Sequence, residues 1–179
     1  MSPVTLKSSQ QEAMGGLQGV RTMRLYLVQH GDAIPERVDP ERPRSAEGRR
    51  DVEAVARLLA SAGTRAVRVA HSGKLRAQQT AEVLAAALAP AAVLEITTDL
   101  NPNDSVEPVA RRVAGWTSDT ILVGHLPFMG RLVARLVAGH ERGPVAAFVP
   151  GSVVCLEQGE AGRWAITWMV PPELAPPLG

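Results

Sequence analysis

At 179 residues, with 45% hydrophobic content and a net charge of +1, the chain has the size and balance of one globular domain. Nineteen basic against eighteen acidic residues give no pull toward nucleic acid or an anionic bilayer, and 3% aromatics leave few platforms for stacking bases. No apolar run approaches the roughly 18–20 residues that span a bilayer.

Residues 1–22 are polar and carry Gly15, Gly16 and Gly19. They read as a flexible leader without the basic-then-apolar order of a signal peptide. "RLYLV" (24–28) is a buried strand ended at Gly31. The proline-rich loop "IPERVDPERPR" follows. A helix over 45–63 has Ser45 as N-cap, an apolar stripe through Val52, Val55, Ala56, Leu58 and Leu59, and Gly63 at its close. "AVRVA" (66–70) is a second strand. A helix over 74–90 stops at Pro90, and a third strand lies within 92–100. A short helix over 106–116 precedes the most apolar strand, "TILVGH" (120–125). The third long helix, 126–139, has Pro127 in its first turn and Gly139 past its end. Residues 152–170 read as a hairpin around Gly159 and Gly162, and the prolines of "PPELAPPLG" forbid helix or central strand there. The alternation predicts a three-layer α/β/α sandwich with a mainly parallel sheet and a C-terminal antiparallel hairpin. The expected division is a leader (1–22), one domain (23–174) and a tail (175–179). The single cysteine, Cys155, stands in the apolar "SVVCLE" as a buried thiol, and with no disulfide to form the chain suits the reducing cytoplasm.

Open α/β sheets bind ligands beyond the carboxyl ends of their strands. Here those ends carry Gln29-His30-Gly31-Asp32, then His71-Ser72-Gly73-Lys74 with Arg76, then Asp99 and Asn101, then Gly124-His125. His140 follows a helix and is expected in solvent. Histidines converging with arginine suit either metal binding or a phosphoryl group. The spacings of common zinc sites are absent, and an arginine within the cluster opposes a cation, so no metal is expected. An anion fits the cluster: Arg76 offers a planar fork, and a neutral imidazole is a competent nucleophile. Neither phosphate-binding glycine loop, G-x-x-x-x-G-K or G-x-G-x-x-G, is present.

Together, "LYLVQHGDA", "HSGKLRAQQTAEVL" and "LVGHLPFMGRLVARL" resemble the motifs of the histidine phosphatase (phosphoglycerate mutase-like) superfamily. The small size, "DPERPRSAEG", "DLNPND" and "WAITWMVPPEL" look most like its SixA-type phosphohistidine phosphatase branch, over residues 23–174. The resemblance implies that His30 is a nucleophile that becomes phosphorylated, that Arg76 clamps the phosphoryl oxygens, and that His125 stabilises the same group. Gly31 lets the backbone turn beside the site, and no cofactor is needed. Asp99, with Asn101 beside it, falls near the segment that supplies a proton donor in many relatives. The implied partner is a phosphorylated protein or a small phosphorylated substrate, with no nucleic acid or membrane; the oligomeric state is open. A metabolite phosphomonoesterase and a phosphate-binding module without turnover remain the competing readings.

The chain departs from the motif at Gln29, where the family has arginine. Losing a charge-assisted contact of ~1.5–3 kcal/mol weakens phosphate binding by roughly one to two powers of ten. Lys74, or a protonated His71, is the expected replacement for that charge. Arg42 and Arg44 in the proline-rich loop are candidates to reach a phosphoprotein, and Ser152 is a candidate to line the site.

Overall fold

In a computed structural model of the protein, which describes residues 23–159 and 162–178, six strands and four helices alternate as the sequence pattern requires. The leader expected over 1–22 lies outside the described residues. The strands are β1 (Arg24–Gln29), β2 (Arg68–His71), β3 (Leu94–Ile96), β4 (Thr120–Gly124), β5 (Val153–Gln158) and β6 (Trp164–Val170). The helices are α1 (Ala46–Ser61), α2 (Leu75–Leu88), α3 (Glu107–Ala114) and α4 (Phe128–Ala138). They form one sheet in the order β3-β2-β4-β1-β5-β6. The pairs β3–β2, β2–β4 and β4–β1 are parallel, while β1–β5 and β5–β6 are antiparallel.

Each central strand is apolar on both faces because helices cover both. Leu25, Leu27 and Leu122 pack with Val109, Val113, Phe128 and Leu132 of α3 and α4. Their neighbours Tyr26, Val28, Ile121 and Val123 face the other way, onto Val52, Val55, Ala77 and Ala81 of α1 and α2. Burying a leucine such as Leu27 completely contributes about 1.5–3 kcal/mol, so the paired cores dominate the stability of the sandwich.

Local signals set the helix ends. Ser45 caps α1, its Oγ accepting the Gly48 N–H at 3.0 Å. Gly63, just beyond α1, takes the left-handed φ of +78°. Pro127 occupies the N-cap of α4, behind a cis Leu126–Pro127 bond, rather than the first turn. The proline-rich tail manages only a single 3₁₀ turn, Pro172–Leu174. Cys155 lies fully buried in β5, and burial pushes its thiol up to about 11. No helix among the described residues is long and apolar enough to cross a membrane.

Candidate active site

Three neighbouring strands, β1, β4 and β2, deliver His30, His125 and the turn before Arg76 to one edge of the sheet. The His30 N–H donates to the Gly124 carbonyl at 3.1 Å, which carries the parallel pairing one residue past β1. His30 Nδ1 lies 2.8 Å from the Gly31 carbonyl, an oxygen that can only accept, so Nδ1 carries the proton. Nε2 is then the unprotonated nitrogen, and Arg76 Nε–H donates to it at 3.2 Å. The His125 ring stands 4.8 Å from His30, centroid to centroid, and its Nε2 is 2.7 Å from Ser72 Oγ. His125 Nδ1 is buried with no protein partner.

The electrostatics follow from burial among cations. Desolvation, with the Arg76 and Arg42 charges added, pulls His30 down to about 4 against the opposing Gly31 hydrogen bond. Desolvation, then His30, Arg76, Lys74 and Arg42, lowers His125 to about 3. Both imidazoles are neutral at pH 7. The result is a lone pair held beside a buried guanidinium, an arrangement suited to attack on an anionic electrophile.

No protein-family model matches the chain. It is 28% identical over 155 residues to phosphohistidine phosphatase SixA of Escherichia coli (strain K12), covering 84% of this chain and 94% of that one. An uncharacterised protein of Picosynechococcus sp. is 31% identical over 125 residues, covering 65% and 74%. The structure of the protein histidine phosphatase SixA complexed with tungstate superposes with a TM-score of 0.75 at 26% identity, over 84% of this chain and 97% of that one. The chain is a homologue of the phosphohistidine phosphatase SixA, with structural neighbours in the histidine phosphatase superfamily.

Within this SixA homologue, the remaining candidates fall into two groups. Gln29 ends β1, its backbone N–H donating to Ser152 O at 3.2 Å and its carbonyl accepting the Gly151 N–H at 3.1 Å. The residue is 8% exposed, and its Oε1 is buried without a partner among the described residues. Gly31 is required for close approach, not for the sharp turn expected, since its φ is not among the positive ones. A Cβ there would lie 2.7 Å from the Gly48 carbonyl of α1. Lys74 is the N-cap residue of α2, near enough for its charge to be felt at His125.

The second group lies outside the expected roles. His71 cannot act as the replacement cation in this arrangement: its Nδ1 accepts the Gly73 N–H at 3.1 Å, and burial lowers its pKa. The Asp99 carboxylate accepts from Arg112 Nη1 at 2.7 Å in a solvent-facing pair, and Asn101 Nδ2 donates to Thr98 O at 3.0 Å. Neither side chain touches His30, Arg76 or His125. Ser152 is buried as a loop brace, its Oγ accepting the Val149 N–H. His140 is exposed.

Two residues gained importance that their types alone did not announce. Thr80 Oγ1 accepts the Gly31 N–H at 3.1 Å and donates to the Arg76 carbonyl at 2.7 Å. One hydroxyl thus ties the loop of His30 to the helix turn of Arg76. Ser72 does the equivalent for His125. The available signal for both was their place in the second motif, Ser72 opening it and Thr80 four residues after Arg76.

Proposed function

We propose that the protein hydrolyses phosphohistidine on a phosphorylated partner protein through a phosphorylated His30. The observation that carries this reading is the His30 ring: Nδ1–H fixed on the Gly31 carbonyl, Nε2 unprotonated and 3.2 Å from Arg76 Nε. The likeness to SixA, including the tungstate complex of that relative, supports an oxyanion at this edge.

In the first step the His30 Nε2 lone pair forms a bond to phosphorus as the phosphorus–nitrogen bond of the substrate breaks. The departing imidazole keeps that electron pair and takes a proton from solvent. Arg76 turns its N–H groups from Nε2 to the equatorial phosphoryl oxygens. The Gly31 carbonyl stabilises the positive charge that grows on the His30 ring. The incoming phosphoryl anion favours a proton on His125, which then donates to the same oxygens. Water next attacks phosphorus, the His30–phosphorus bond breaks, and inorganic phosphate leaves. An imidazole is a good leaving group, so the chemistry tolerates Asp99 being engaged by Arg112. We assign this activity to residues 23–174 as one domain. The lone, buried Cys155 supports the cytoplasm as its place.

The test compares wild type with His30→Ala on a phosphohistidine protein, p-nitrophenyl phosphate and a panel of phosphorylated metabolites. Wild type is expected to prefer the phosphohistidine protein and to yield an acid-labile phosphoenzyme on rapid quenching, with both lost in the variant. Turnover that survives His30→Ala overturns the nucleophile. Preference for a metabolite overturns the substrate, and tight binding without turnover overturns the enzyme.

A further inference from the structure

Gln29 leaves the site without the charge that the family motif places there, and His71 is neutral. The loop between β1 and α1 offers another source. It is closed at its base by an antiparallel bridge between Ala33 and Arg44 and by the Ile34 N–H on the Pro43 carbonyl at 2.8 Å. On its returning arm, Arg42 has a φ of +49°, the only positive value at a non-glycine among the described residues. A bulky side chain adopts that conformation only under constraint, and such constraint gathers at functional sites. The Arg42 N–H is held by the Asp39 carbonyl at 3.0 Å, and its Nε reaches the Ile34 carbonyl at 3.4 Å.

Beyond that Nε contact, the Arg42 guanidinium has no carboxylate partner among the described residues. It lines one open cavity of 340 Å³ with Lys74 and Arg76, the same Arg76 that touches His30; Glu36 and Glu41 line it too, and the charge of Glu36 is felt at Arg76. None of these three cations has a carboxylate within ion-pair distance among the described residues. Several arginines elsewhere are paired with a carboxylate, as Arg24 is with Glu157, Arg68 with Glu95 and Arg131 with Glu141. Three cations without an ion-pair partner around a cavity that shares Arg76 with the His30 ring outnumber its two carboxylates and favour an anion.

We propose that Arg42 is a further phosphoryl ligand, reaching over from the β1–α1 loop to supply the positive charge that Gln29 does not. This rests on the phosphoryl-transfer reading of His30, Arg76 and His125. Arg42 is chosen over Lys74 because it approaches from the opposite wall of the cavity on a constrained loop, and its charge is felt at His30, Arg76 and His125; at His125 the charge of Lys74 is felt as well, and more strongly. Arg44 does not line the cavity; its Cδ packs against Gly31, and its Nε and Nη1 are buried.

The strained backbone makes the test clean. Arg42→Gly removes the charge while relieving the left-handed strain, so folding is preserved or improved. Tungstate and inorganic phosphate binding are measured by calorimetry on wild type, Arg42→Gly, Arg42→Met, Lys74→Met, Arg76→Met and the double variant Gln29→Arg/Arg42→Met, each checked by thermal unfolding. Expected is a tenfold or greater loss of tungstate affinity in both Arg42 variants, a smaller loss in Lys74→Met, and recovery in the double variant. Wild-type affinity in both Arg42 variants, with Arg76→Met impaired, overturns the role of Arg42 and leaves the site reading standing. Wild-type affinity in Arg76→Met as well overturns the site reading and this proposal with it.

Discussion

A histidine that must attack phosphorus has to be neutral, and burial keeps His30 so. With the free-enzyme imidazole at about 4, the ascending limb of kcat/KM for p-nitrophenyl phosphate is expected near pH 4. A pH–rate profile with its ascending limb at 6.5 would falsify the desolvated His30. Gln29→Arg is expected to tighten phosphate binding roughly tenfold or more, the usual worth of one charge-assisted contact; unaltered phosphate affinity by calorimetry would remove Gln29 from the phosphate. Which residues matter was partly legible. The meeting of His30, Arg76 and His125 was legible because His30 and His125 each follow an apolar run and Arg76 lies just past the turn after another, and strand ends are where such sheets bind. The fate of His71 was hidden, since nothing in "HSGK" reveals that the chain folds the Gly73 N–H back onto its ring.

At the scale of elements, the contact between α1 and the loop after β1 decides how rigidly His30 is held. Ser45 caps α1 and also donates its hydroxyl to Asp32 Oδ2 at 2.6 Å, two residues past His30. Ser45→Ala is expected to cost about 1 kcal/mol, read as a lowered urea midpoint. Gly48→Ala is more damaging. Its Cβ would lie 2.3 Å from the Asp32 carbonyl, backbone that cannot swing aside. The expected result is a lowered melting temperature together with reduced turnover, whereas a variant with wild-type turnover would show the loop adjusting without harm to His30. The helix itself was readable from Ser45 and the Val52–Leu59 stripe. The reason for its first-turn glycine was not, because it lies in a partner 16 residues away in sequence. Likewise β3 is only three residues long, too short to fix where Asp99 would point.

Across the whole molecule, the buried histidines couple catalysis to acid stability. An unfolded histidine binds its proton near 6.5, while His30 and His125 bind theirs only near 4 and 3. Between those values the unfolded chain holds more protons, so stability is full above about 6.5 and declines as the pH falls through 4 and 3. Urea unfolding at pH 7 and pH 4.5 is expected to show this loss, and a His125→Asn variant to show less of it; equal loss in the variant would assign the acid sensitivity elsewhere. The layered architecture was the most legible level of all. Period-two and helical stripes alternate down the chain, and the connection rules for parallel strands leave few ways to stack them.

The contiguity of β2, β4 and β1 also bears on how activity returns after denaturation. His30 and Arg76 are 46 positions apart in sequence, yet they meet only when β4 is seated between their strands. No fragment that lacks β4 brings them together. Recovered turnover in a refolding experiment therefore times the closing of the parallel centre, while fluorescence from Trp164 and Trp168, read in a Trp116→Phe background, times the formation of the hairpin at the edge. The lag between those two clocks measures the order in which the two halves of the sheet are built.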